Sequence, residues 1–141
     1  MKKLILLFIC ATLFSCTNTK TIALNQTVIL DYFYVESCGD CKAFKKKTIP
    51  TLQKTFGDKI EIEEYNLDDE DVQPLYDAII GSLDNFDEAL YGQGPFIVVE
   101  DYFAIIGFET SETDILIQDI VSATKDQPLS DELSIRRYLY L

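Results

Sequence analysis

Histidine is missing from this 141-residue sequence. Its absence removes Ser-His-Asp and Cys-His catalysis and every histidine-ligated metal site. Positive charge is scarce as well: 12 lysines and arginines stand against 24 acidic residues, a net charge of −12. A phosphate backbone needs a basic patch to meet it, so nucleic acid is not an expected partner. No internal repeat and no low-complexity segment interrupts the chain. The apolar run at residues 4–14 covers eleven residues, where a helix needs about 20 to span a bilayer. What remains for chemistry is cysteine, carboxylate, lysine and tyrosine. Two thiolates can hold a soft ion. The sequence has four cysteines, of which Cys10 and Cys16 belong to the N-terminal segment, so no metal and no other cofactor is expected.

The N-terminus reads as an address rather than as fold. Lys2 and Lys3 precede the apolar run, which ends at Leu13-Phe14-Ser15-Cys16. A basic start, a short apolar stretch and a small residue before a cut describe a secretory signal over residues 1–16. Leu-x-Ser-Cys also resembles the lipobox of bacterial lipoproteins, although Phe14 departs from the usual small residue. That resemblance implies a lipid on Cys16 and an exported chain tethered to a membrane of the bacterial cell envelope. An ordinary signal peptide that happens to contain Cys16 is the alternative. Residues 17–26 then read as a tether, 27–127 as the domain and 128–141 as a tail.

Within the domain, residues 28–35 are apolar, aromatic and β-branched on both faces, broken only by Asp31, as suits a strand covered on both sides. Cys41, Phe44, Thr48, Leu52 and Phe56 follow at three- and four-residue spacing, a buried helical stripe with Pro50 as a kink and Gly57 as a stop. Residues 59–65 alternate as a second strand. Asp69 to Asp71 open a helix carrying Val72, Leu75, Tyr76, Ile79 and Ile80, which ends at Gly81. Leu83, Phe86 and Leu90 predict a further short helix. Residues 96–99 and 103–106 form a hairpin around Glu100-Asp101. A closing helix starts in a capping-box pattern of Ser111 and Asp114 and presents Ile115, Leu116, Ile120 and Val121. The tail reads equally as a short helix or a loose end. The order predicts an α/β fold with a mixed four-stranded sheet flanked by helices.

Cys38-Gly39-Asp40-Cys41 falls at the junction of the first strand and its helix. At that spacing the two sulfurs meet with little backbone movement, and the helix N-terminus favours a thiolate. The first cysteine is placed to attack a disulfide and the second, one turn inside, to resolve the mixed disulfide. Residues 28–41, with Pro50 and Gly94-Pro95-Phe96, resemble the thioredoxin superfamily's strand, active-site turn, helix kink and cis-proline segment. The resemblance covers residues 27 to about 124. It implies a thioredoxin-like fold with an inserted helix before the cis-proline. It also implies Cys38 as nucleophile, Cys41 as resolving thiol, and Gly94 and Pro95 beside the cysteines against substrate backbone.

Three positions depart from that pattern. Ser37 replaces the usual aromatic residue before the first cysteine. Gly39-Asp40 is not a common dipeptide between the cysteines. Tyr32 occupies the place, six residues before the first cysteine, where many thioredoxins bury an acid. Asp31 is one residue off, and one residue turns a strand side chain to the other face unless a bulge intervenes. Glu36 and Asp40 oppose a thiolate at Cys38, while Lys42, Lys45, Lys46 and Lys47 and the helix terminus favour it. With Asp40 nearest, the pair is expected to be reducing rather than strongly oxidising.

The expected function is therefore thiol–disulfide exchange or reduction on disulfide-containing exported proteins, fed by a membrane or soluble electron donor. The rival expectation is a redox-inactive thioredoxin-like binding or accessory module in which Cys38 and Cys41 form a structural disulfide.

Overall fold

The computed structural model describes residues 21–141, so Cys16, the signal segment and the start of the tether lie outside it. Among the described residues no helix is long and apolar enough to cross a membrane. Strand β1 (Val28–Tyr34) lies inside a mixed five-stranded sheet of order β2-β1-β3-β4-β5. It pairs in parallel with β2 (Ile60–Asn66) and antiparallel with β3 (Phe96–Val99). The hairpin partner β4 (Phe103–Ile106) follows, its turn placing Asp101 at φ 65°.

The fifth strand corrects the expected count of four. β5 (Arg137–Leu139) comes from the tail and pairs antiparallel with β4. Every residue of β4 is buried. An open edge there would leave backbone donors and acceptors away from water with no partner, and the tail supplies them. Arg137 also forms an ion pair with Asp119, whose side chain is fully buried and further bonded by the Ser130 backbone N–H and hydroxyl.

One sheet face carries Leu30, Tyr32, Ile97 and Ile105 against a helical unit that begins at the cysteines and against α4 (Thr113–Ala123). The helical unit runs as α1 (Gly39–Ala43), a π-helical stretch (Phe44–Thr48) and α2 (Ile49–Phe56). All five stripe residues from Cys41 to Phe56 are buried. Pro50 explains the π stretch: it has no N–H to donate back, and its ring crowds the preceding turn. The chain widens there, and the Ile49 N–H bonds Phe44 O five residues back. Buried Thr48 bonds the Thr113 hydroxyl across to α4 at 2.9 Å. The other face, with Phe33, Phe96 and Val98, packs on Tyr76 of α3 (Gln73–Gly81).

Two further expectations are corrected. Residues 83–91 do not form an inserted helix; they form turns and one 3₁₀ turn (Glu88–Leu90), with Asn85 at φ 52°. Asp84, Asn85 and Asp87 favour side-chain-bonded turns over helix, and Asp87 does accept from the Ala89 N–H. Phe86 still packs inward on Phe96 and Tyr138. The capping box before α4 is made by Glu109 and Glu112 rather than Ser111 and Asp114, because a 3₁₀ turn (Thr110–Glu112) starts the helix earlier.

Candidate functional site

β1 delivers the chain to the cysteines through a tight turn, in which the Cys38 N–H bonds Val35 O at 3.0 Å. Cys38 keeps extended backbone (φ −76°, ψ 119°) and caps α1, its Sγ accepting from the Cys41 N–H at 3.0 Å. Cys38 and Cys41 are joined by a disulfide with Cα atoms 5.3 Å apart. Their surroundings differ: Cys38 is partly exposed, whereas Cys41 is 1% exposed and sits in the core cluster with Tyr32 and Phe44.

The segment before β3 closes over the pair. The Gly94–Pro95 peptide is cis. Gly94 O lies 3.5 Å from Cys38 Sγ. A Cβ built on Gly94 would stand 2.8 Å from Cys41 Sγ, so glycine is required by close approach rather than by backbone angle. Pro95 is buried, and its carbonyl accepts from the Gly107 N–H at 2.8 Å. Of the residues singled out in the sequence, Cys38, Cys41 and Gly94 are thus in direct approach. Pro95 adjoins them, Asp40 is exposed in the first turn of α1, and Cys16 lies outside the described residues.

Tyr32 and Asp31 separate as strand alternation requires. The Tyr32 hydroxyl donates to Cys41 O at 2.7 Å and its ring stacks on Phe44 with centroids 4.9 Å apart. Burial first, then the charge of Glu64, pushes this hydroxyl well above the usual tyrosine range, so it stays protonated. Asp31 pairs with Glu63 and Val98 in unbroken register, with no bulge to turn it toward the cysteines. It is 3% exposed on the opposite layer. Burial, followed by the charges of Glu100 and Glu63, raises its carboxyl from 3.8 to about 6.

Behind Cys41 a cavity of about 70 Å³ opens toward solvent, lined by Tyr32, Tyr34, Val35, Glu36, Cys41, Lys42 and Lys45. Lys45 is ion-paired to Glu64 of β2 and lies 5.4 Å from the Tyr34 ring centroid. The bond to Glu64 raises its pKa above the usual lysine value. Two of the four lysines read from the sequence, Lys42 and Lys45, therefore border the site, and Lys46 and Lys47 are exposed and do not line it. Glu64, exposed on β2 and opposite Tyr32 in register, carries no sequence signal that marks it as the partner of Lys45. Among the described residues no cluster of three or more cysteines and carboxylates is arranged to hold a metal ion.

No protein-family model and no curated protein matches this chain. Fold and site define an α/β domain with a mixed five-stranded sheet and a CxxC disulfide at a helix start, an arrangement consistent with a thioredoxin-like fold and compatible with thiol–disulfide chemistry.

Proposed function

We propose that the protein is an exported, lipid-anchored thiol–disulfide oxidoreductase that reduces or exchanges disulfides in exported proteins. The observation that carries this reading is the asymmetry of the pair: Cys38 is open to a partner beside Gly94 O, and Cys41 is buried one turn inside. A structural disulfide needs no such difference, whereas sequential attack and resolution do. In the reduced state the Cys38 thiolate attacks one sulfur of a substrate disulfide and expels the other as a thiolate. Cys41 then loses its proton and attacks Cys38 Sγ. The Cys38–Cys41 disulfide forms, and two electrons have passed to the substrate as two thiols. A dithiol donor, membrane-bound or soluble, returns the pair to its reduced state. Gly94 and Pro95 form the wall against which substrate backbone lies. Cys41→Ser should accumulate mixed disulfides through Cys38, and Cys38→Ser far fewer. Equal trapping by both variants, or none by either, points to the accessory module with a structural disulfide.

The membrane anchor rests on Leu13-Phe14-Ser15-Cys16. In a bacterial host a fatty-acid analogue should label the wild type and not Cys16→Ser. Equal labelling of both, or an intact N-terminus by mass spectrometry, removes the lipid from the account.

A further inference from the structure

The resolving step requires Cys41 to lose a proton, and Cys41 is almost fully buried. Tyr32, which packs against it, already commits its single hydroxyl proton to Cys41 O and stays neutral, so it is no base. Asp31 is on the other layer of the sheet. Asp40 is exposed and does not line the cavity behind Cys41. That cavity touches Cys41 at its inner end and solvent at its mouth, and about 70 Å³ holds a few waters. Glu36 is the one carboxylate among the described residues that line it.

Building on the oxidoreductase reading, we infer that this cavity is the proton exit of Cys41 and that Glu36, acting through water, is the acceptor. The groups facing it are Tyr32 and Tyr34 from β1, Lys42 from α1 and Lys45 from the π stretch, with Glu64 of β2 behind Lys45. Lys45 is held to Glu64, and the positive charge of Lys42 and Lys45 favours the Cys41 thiolate left once the proton has gone. In the step itself, the Cys41 S–H proton passes to water and from water to a Glu36 oxygen. The sulfur keeps the electron pair, attacks Cys38 Sγ and expels the substrate thiolate. Glu36 later returns the proton to solvent. A base one water away lies within the reach that general base catalysis allows.

The test uses the full-length chain with Cys10→Ser and Cys16→Ser, reduced and mixed with dithiobis-nitrobenzoate, which releases one coloured thiolate on attack by Cys38 and a second on resolution by Cys41. In Glu36→Gln the second phase should slow about tenfold near pH 6 and converge with the unsubstituted chain by about pH 9, where hydroxide takes the proton. The first phase should not slow. Glu61→Gln, which removes one exposed charge from β2, should follow the unsubstituted profile. A second phase in Glu36→Gln with the unsubstituted pH profile, or one slowed equally at every pH, overturns the assignment. Release of a single thiolate per unsubstituted chain, with no second at any pH, overturns the oxidoreductase reading itself, and with it this step.

Discussion

The Tyr32 hydroxyl donates a 2.7 Å hydrogen bond to the backbone carbonyl of Cys41, tying the interior strand β1 to the first turn of α1. The bond holds the buried cysteine at a fixed depth below Cys38. Tyr32→Phe removes one of the donors to Cys41 O, which keeps the Phe44 N–H, and preserves the stack on Phe44. The expected cost is about 0.5–1.5 kcal/mol of unfolding free energy, read from urea denaturation. Unchanged stability would mean the bond contributes nothing to holding the turn.

Gly94→Ala tests the closeness of the proline segment to the pair. The new methyl would meet Cys41 Sγ at 2.8 Å, with Phe33 O and the Tyr34 Cα behind it at 3.7 Å. Overpacking of this kind costs about 1–3 kcal/mol. Disulfide formation in the variant should also be slower, because the methyl crowds Cys41 Sγ. Wild-type stability and oxidation rate together would contradict the contact.

Asp31→Asn addresses pH. The native carboxyl titrates at about 6 rather than 3.8, so the fold prefers it protonated. This group's destabilising effect is absent below about pH 4, grows as pH rises through 4 to 6 and is complete above that. The amide removes it. The variant should gain up to about 2–3 kcal/mol at pH 7 and little at pH 4. Urea midpoints across that range check both the size and the sign. A parallel shift at every pH would contradict the burial argument.

Much of the fold was legible because it is local. The stripe of Cys41, Phe44, Thr48, Leu52 and Phe56 is buried at every position, and the hairpin strands fall where β-branched and aromatic residues cluster. The tail was not legible, since β5 is specified by the open edge of β4 and by the pairing of Arg137 with Asp119, 18 residues away. Asp119 carries no sign of burial in the sequence. Residues 83–91 misled because Leu83, Phe86 and Leu90 have helical spacing, yet Asp84, Asn85 and Asp87 divert the backbone into turns. Within the site, the cysteines and Gly94-Pro95 were legible from motif and order. The cavity joining Glu36 to Cys41 was not, because strand, turn and helix must first be brought together to enclose it.

Asp40 stands exposed in the first turn of α1, between the two cysteines. Its charge opposes a thiolate at Cys38, so the reduced state is less stabilised by ionisation and the reduction potential is lower. Asp40→His removes that charge and adds a positive one at low pH. The reduction potential should rise by tens of millivolts, since about 30 mV corresponds to about 1.4 kcal/mol for a two-electron couple. An unchanged potential would show that the helix terminus and the lysines outweigh Asp40.

The most direct test of the redox assignment is equilibration of the purified protein lacking residues 1–16 against glutathione and dithiothreitol buffers, with thiols counted by alkylation. The account predicts one reversible two-electron transition of Cys38 and Cys41, nearer the thioredoxin value of about −270 mV than the strongly oxidising value of about −120 mV. A pair that stays oxidised below about −300 mV would behave as a structural disulfide and contradict the central claim. A native potential near −120 mV would keep the chemistry and reverse its direction, from reductant to disulfide donor.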